Sequence, residues 1–443
     1  MYLRKKLQKE GVLNMKERDN IHFFDTSALT ETIGIRQRCD QAYMQKALKE
    51  RLPGETFRVT SVSINETGCY QAKLNWLVKL LWNNGKVTGL PPYCEVLIDH
   101  CTGTEWENII VWSPLAWNDR FAGTAGGGTC TGGVNQITQP NNGQRGWTLP
   151  FALINGFTAA TCDAGNEKYG SNWAVDQNGK VVMERIENWR ASATHNMTVF
   201  GKAVAEILHQ RPIRFSYMNG GSGGGRQSMV EAQEFPEDYD GIWASCPAIN
   251  WTKFLIGGFW PMATANEHKA PLRYHKLTAF AKAVQDSVGG SEKYYQLSSR
   301  VKFDPASLIG TKTKQGVITA ADAAVIRDMW DGPHRVNGKK LWYGFLPGSI
   351  HWCTGLPIFS ISFLLPFLRA KPFALCTTYA RWVLDDPKAE FQDIDIAGFE
   401  KLFDRSLAVF PKVTADNVDL TAFVSRGGKL MIDHGLDDPL IPV

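Results

Sequence analysis

Ile213-Arg214-Phe215-Ser216-Tyr217-Met218 runs without a break into Asn219-Gly220-Gly221-Ser222-Gly223-Gly224-Gly225-Arg226. The first six residues alternate enough to predict a strand. The stretch Gln227 to Phe235 predicts a helix that stops before Pro236, and Gly241 to Ser245 predicts a second short strand. Strand, glycine-rich turn, helix, strand is the grammar of a parallel sheet with crossover helices. Within it, Gly220-Gly221-Ser222-Gly223-Gly224 satisfies G-x-S-x-G, the nucleophile elbow, in the context that motif requires. A sharp turn there lifts the Ser222 hydroxyl to the tip of the sheet. Positions two before and two after must be small because strand and helix approach closely, and Gly220 and Gly224 meet that need. A plain glycine turn or a phosphate cradle would use similar residues. Neither G-x-x-x-x-G-K-[ST] nor G-x-G-x-x-G occurs in the chain, so nucleotide binding lacks its fingerprint.

Upstream, Ile109 to Trp112 predicts a strand that leads through Trp117-Asn118-Asp119-Arg120-Phe121 to the cluster Gly126-Gly127-Gly128. Phe157 to Cys162 predicts another, ending in Asp163-Ala164-Gly165. Trp189 to His209 carries Met197, Phe200, Val204, Ile207 and Leu208 on one helical face, and Pro212 stops it. A further helix is predicted from Arg36 to Glu50. Downstream, residues 251–425 break the parallel-sheet rhythm with helices such as Ala320 to Trp330, which opens on the cap pattern Thr319-x-x-Asp322. That region reads as an inserted helical lid. Sheet grammar returns at Gly427-Gly428-Lys429-Leu430-Met431-Ile432, which runs into Asp433-His434-Gly435-Leu436-Asp437-Asp438-Pro439. The expected organisation is a core over 1–250, with 1–90 as N-terminal extension and early strands, a lid over 251–425 and the last core strand over 426–443.

Composition sets outer bounds. The 443 residues are 44% hydrophobic and 21% charged, the balance of a globular protein, and no run of about 18 apolar residues exists to span a membrane. A net charge of +4 without a basic stripe argues against nucleic acid as partner. The 41 glycines and 15 tryptophans suit tight turns and a surface for flat aromatic or sugar-like ligands, with core packing as the alternative use. The nine cysteines contain no CxxC pair and no metal-type Cys/His spacing, so a zinc site is not expected. The basic start Met1 to Lys16 has no apolar segment behind it. The expectation is a cytoplasmic chain as it stands, or an extracellular one if the N-terminus is longer.

An elbow serine needs oxyanion donors, an acid and a base. The Gly223 amide, at the start of the following helix, is the first donor, and an amide of the Gly126 to Gly128 cluster, centred on Gly127, is the candidate second. Asp438 is placed as the acid, after the last strand, with Asp437 beside it as a surface residue. A histidine should follow the acid in this chain order, and none follows Asp438. His434 is too close in sequence to Asp438 to arc over to Ser222 and reads as structural. His195 reads as a surface or supporting residue.

The stretch Gly220 to Pro247, GGSGGGRQSMVEAQEFPEDYDGIWASCP, resembles the tannase and feruloyl esterase family, whose elbow reads like GCSTGGRQ followed by AQ-FP-DFDGI. Trp117 to Phe121 with its glycines is similar to that family's WNGRF-G-GGG, Asp163-Ala164-Gly165 to its D-T-G, and Gly427 to Pro442 to its GGKL-HG-DP-I-P. The resemblance spans about residues 91–443. It implies an α/β-hydrolase fold with mostly parallel sheet and a large lid, and a serine esterase acting on small esters of aromatic acids such as gallate or hydroxycinnamates. It gives Ser222 the nucleophile role and Asp438 the acid role, and the mechanism needs no cofactor. The chain departs from the family in three places. Gly221 replaces the cysteine that ties acid and base arms together. The calcium loop aligns with Gln285 to Lys293, where only Asp286 of its aspartates remains, so calcium is not expected. The family's histidine segment is absent, which makes an inactive fragment or a non-catalytic aromatic-ligand-binding protein the alternative expectation. Trp330, Trp342, Phe345, Trp352 and Phe359 are the expected aromatic wall of the lid.

Overall fold

The structure, a computed structural model, describes residues 24–71, 86–132, 148–166, 168–169, 172–271, 273–289, 301–349, 373–436, 438 and 441–442. Met1 to Lys16, Gly290 to Lys293, Trp352, Phe359, Asp437 and Pro439 lie outside the described residues. The chain divides into two compact units. The first comprises the chain up to Trp173 with Met183–Pro247 and Asn417–Ile432, the second Ala174–Val182, Ala248–Asp416 and Asp433–Val443.

The first unit is built on an eight-stranded sheet whose strands are here numbered β1 Phe57–Asn65, β2 Tyr93–Thr102, β3 Glu105–Pro114, β4 Arg120–Thr124, β5 Thr158–Cys162, β6 Phe215–Gly221, β7 Gly241–Ser245 and β8 Lys429–Asp433. Their spatial order is β1-β2-β3-β5-β4-β6-β7-β8. β1, β2, β3 and β5 pair antiparallel, while β5, β4, β6 and β7 pair parallel. The parallel strands read from the sequence are thus the ones that carry the elbow. Every residue of β5, Thr-Ala-Ala-Thr-Cys, is buried, as expected of a central strand covered on both faces. On one face Trp112, Leu149, Leu153 and Phe157 form the core. Helices contact the central strands too: α1 Ala193–His209 packs against β5 and β4, and α2 Gly223–Glu234 against β6 and β7. Met197, Phe200, Val204, Ile207 and Leu208 are all buried, so the apolar stripe read from the sequence is the packed face.

The single helix predicted from Arg36 to Glu50 is broken. A short turn at Ile35–Arg38 ends at Cys39, which is disulfide-bonded to Cys94, and a new helix starts at Gln41 with the Asp40 carboxylate accepting from the Tyr43 amide at 2.8 Å. The aspartate cap and the cystine on adjacent residues explain the break.

His209, at the end of α1, shows how polar groups are buried in this unit. Its ring is 3% exposed, lies 4.4 Å from Trp117 in a stacked pair, and bonds Ser113 Oγ at 2.9 Å and Thr32 Oγ1 at 2.8 Å. Burial, with Arg211 and Arg38 nearby, pushes its pKa down to about 3. The folded state therefore holds a neutral imidazole where the unfolded chain would bind a proton below about pH 6.5. The sign follows: His209 makes stability fall as pH drops from about 6.5 toward 3, by up to about 1.4 kcal/mol per pH unit. Urea unfolding between pH 7.5 and 4.5 should show this slope, and His209→Gln should flatten it. A slope unchanged in that variant would contradict the assignment.

The second unit is helical. Its helices include α3 Trp251–Gly257, α4 Trp260–Glu267, α5 Tyr274–Gly289, α6 Ala320–Asp331, α7 Ala374–Leu384 and α8 Ile396–Val409. α6 starts where the sequence placed it, and both hydrogen bonds of the Thr319/Asp322 capping box are present. Phe345 lies in a buried cluster with Phe280, Ile326 and Met329, and Trp330 packs against it. These two aromatics are core packing, which corrects the expectation that they form a ligand wall. Asp286 is held by Lys282 at 2.7 Å. The insertion expected over 251–425 is compact between Ala248 and Asp416, and the segment after Asp433, assigned from sequence to the core, groups with the helical unit. That segment leaves the sheet and closes its own turn, with the Asp438 carboxylate accepting from the Ile441 amide at 2.9 Å and His434 Nε2 donating to the Ile441 carbonyl at 2.9 Å.

Candidate active site

β6 ends at Gly221 and α2 begins at Gly223, which leaves one residue, Ser222, to turn the chain. Ser222 has φ 59° and ψ −120°, a conformation that costs a non-glycine residue about 1–3 kcal/mol and persists only when its surroundings enforce it. The enforcement is visible. The Ser222 amide donates to the Ser245 carbonyl on β7 at 2.9 Å, and the Ser222 carbonyl accepts from the Arg226 amide at 3.0 Å as the first bond of the helix. A Cβ on Gly220 would overlap the Gly224 carbonyl, and one on Gly225 would stand 2.7 Å from Pro247 Cα. The glycines are therefore required by close approach of strand and helix.

The Gly126 to Gly128 cluster packs directly on this elbow. A Cβ on Gly223 would overlap the Gly128 carbonyl, and one on Gly224 would overlap the Gly126 carbonyl and come 2.9 Å from Ala125 Cβ. Gly127 lies between these two contacts, and its carbonyl accepts from the Cys130 amide at 3.0 Å. The residues singled out from sequence as oxyanion donors, Gly223 and the Gly127 turn, are thus on touching segments although far apart in the chain. β4 leads into this loop, and the Ala125 amide donates to the Asn219 carbonyl of β6 at 3.3 Å.

Arg226, one turn beyond Ser222, is fully buried, with its guanidinium over the Trp189 ring at 4.2 Å and donating to the Arg190 carbonyl at 3.0 Å. Burial, reinforced by Arg190, lowers its pKa to about 9. Asp163, at the end of β5, accepts from the Asn108 amide at 2.7 Å and the Gly165 amide at 2.8 Å. Burial nonetheless raises its carboxyl above the usual range. It fixes the turn through Ala164 and Gly165, both at positive φ.

Asp438 belongs to the second unit and Ser222 to the first. His195 is bonded to Asp238 at 2.6 Å and stacked on Phe235 at 4.2 Å. Asp238 precedes β7, whereas Ser222 follows β6; because these strands run parallel, the two lie at opposite ends of them. His100 lies between Glu107 and Glu55, His268 against Asp328 and His334 against the Arg335 carbonyl. No group of three or more metal-ligating side chains occurs among the described residues. No described helix is long and apolar enough to cross a membrane.

A serine at a strained turn between a parallel strand and a helix, on a sheet of this order, defines the α/β-hydrolase fold. Residues 94–443 match the family model described as tannase and feruloyl esterase, and the chain belongs to this family. It is 33% identical over 362 residues to a probable feruloyl esterase of Arthroderma benhamiae, covering 78% of this chain and 65% of that protein. It is 25% identical over 382 residues to an uncharacterized esterase of Xanthomonas campestris pv. campestris, covering 80% of this chain and 62% of that one. The chain thus spans less than two thirds of the length of these relatives. Among solved structures, tannin acyl hydrolase from Aspergillus niger superposes with a TM-score of 0.72 at 16% identity, over 94% of this chain and 76% of that one. Feruloyl esterase B from Aspergillus oryzae gives 0.69 at 19% identity, over 91% and 76%.

Proposed function

We propose that the protein is a carboxylic ester hydrolase in which Ser222 attacks the carbonyl of a small ester of an aromatic acid, gallic or hydroxycinnamic. The observation that carries this reading is the backbone of Ser222 itself, held at φ 59° between β6 and α2 with the glycine loop packed against it. In the reaction the Ser222 Oγ–C bond forms as the carbonyl π electrons move to oxygen, and the serine proton passes to a base. The developing oxyanion is met by the Gly223 amide at the positive end of α2 and by the Gly127 amide. Collapse breaks the ester C–O bond, and the leaving oxygen takes the proton from the base and departs as the alcohol, leaving an acyl-enzyme. Water, giving its proton to the same base, then displaces the acid and restores the Ser222 hydroxyl. Asp438 takes the acid role, orienting a histidine base. The aromatic acyl group is supported by membership of the tannase and feruloyl esterase family and by the chain's likeness to a probable feruloyl esterase.

A second reading is an aromatic-ligand-binding protein without turnover, favoured by one observation: His100 and His209 have both ring nitrogens engaged, and His195, His268, His334 and His434 each have one ring nitrogen bonded within their own surroundings. The two readings separate in one assay. Methyl ferulate and methyl gallate are incubated with the protein and acid release is followed by chromatography, with binding measured by calorimetry in parallel. Release at a kcat of about 1 s⁻¹ or more supports the esterase. Binding without release supports the second reading, and neither binding nor release contradicts both.

A further inference from the structure

We infer that Gln227 is a positioning residue that sets the second oxyanion amide by clamping both ends of the Gly126–Thr131 loop to the elbow helix. The inference rests on the esterase reading of Ser222. Gln227 follows Arg226 in the first turns of α2, is 2% exposed, and uses both ends of its amide. Its Oε1 accepts from the Gly126 amide at 3.3 Å. Its Nε2 donates to the Thr131 carbonyl at 3.3 Å and to Thr194 Oγ1 of α1 at 2.8 Å. One side chain thus grips the entry and the exit of the loop and anchors it to a second helix.

The loop needs such a grip. A Cβ on Gly126 would overlap the Cys130 carbonyl, so the loop folds back on itself tightly, and the Cys130 amide closes it on Gly127. Gly128 at φ 60° has open space where a side chain would be, so packing from its own side chain cannot hold the tip. The loop backbone lies against Gly223 and Gly224, and its polar ties are at its base, where Ala125 is tied to Asn219 and Gly126 and Thr131 are tied to Gln227. An oxyanion donor works only when pre-aimed, and displacement by about 1 Å forfeits much of its effect. Because Gln227 and Ser222 share one helix start, the clamp references the donor to the nucleophile itself.

The primary amide is the group this task requires. It accepts one hydrogen bond and donates two, matching an N–H on one side and a carbonyl and hydroxyl on the other. Glutamate keeps the acceptor and loses the donors. Methionine keeps the shape and loses both.

The test compares unsubstituted protein, Gln227→Met and Gln227→Glu in methyl ferulate hydrolysis and in hydrogen exchange of the amides over residues 125–132. Gln227→Met is expected to lower kcat by about 30-fold or more, a large share of what one oxyanion donor supplies, with KM changed less than about three-fold. Exchange over 125–132 should quicken while α3 to α8 keep theirs. Gln227→Glu should fall between, through its retained acceptor, and carries the test if the methionine variant does not fold. Unchanged kcat, a change confined to KM, or unchanged exchange over the loop would overturn the proposal. Lack of turnover in the unsubstituted protein would instead overturn the esterase reading, and is seen before any substitution is made.

Discussion

Ser222→Ala is expected to lower ester turnover by about 10⁵- to 10⁶-fold, the scale on which removal of a serine nucleophile acts, while leaving substrate binding nearly intact. The reason is local. Ser222 alone occupies the turn between Gly221 and Gly223, the one position from which the elbow presents a hydroxyl. The same variant should unfold at the same temperature, because alanine carries the Cβ that makes φ 59° costly. Ser222→Gly removes that cost. It is expected to be equally inactive yet more stable by about 1 kcal/mol or more, read as a rise in melting temperature. Inactivity without the stability gain would leave the nucleophile role standing but contradict the claim of stored backbone strain.

Gly220→Val should have the largest effect on folding of any single change at the elbow. Its Cβ would overlap the Gly224 carbonyl and come 2.9 Å from Ala125 Cβ, and all three atoms belong to backbone or to a side chain without freedom to move. Overpacking of buried sites typically costs about 1–3 kcal/mol and more where backbone must shift. Here the two methyl groups add to a clash that alanine already makes, so a loss above about 3 kcal/mol is expected. Chemical denaturation of soluble protein reads it directly. A variant with an unchanged midpoint would mean that strand and helix are farther apart than the structure places them.

The elbow was legible because tight turns leave a chemical signature. Only glycine fits where Gly220, Gly224 and Gly225 meet backbone, so geometry is written as residue identity. Strands β5, β6 and β7 were legible for a related reason, being short runs closed by turn residues, whereas β4, Arg120–Thr124, reads in sequence only as the approach to the glycine cluster. β1 and β2 were not. β1 alternates Phe57 and Val59 with polar residues, but the bulge between Val59 and Ser61 shifts the phase, so Val62 and Ile64 break the period that would betray it. The break at Cys39 was invisible because nine cysteines do not reveal that Cys39 meets Cys94. Gln227 was passed over for the same kind of reason: its loop partners are backbone groups of Gly126 and Thr131, about a hundred positions away, and backbone partners leave no mark in sequence. Trp330 and Phe345 were misread because an aromatic residue looks alike in a core and in a pocket. The proposal of Asp438 as the acid rests on its place in the chain after β8, in a turn whose own hydrogen bonds account for one ring nitrogen of His434.

The central claim is that Ser222 is a chemically competent nucleophile. It is tested most directly by treating the protein and Ser222→Ala with a fluorophosphonate and reading intact mass, followed by peptide mapping. The account predicts one covalent adduct per chain, located on Ser222 and absent from the variant. Absence of an adduct on the unsubstituted protein, or an adduct that persists in Ser222→Ala, would contradict it.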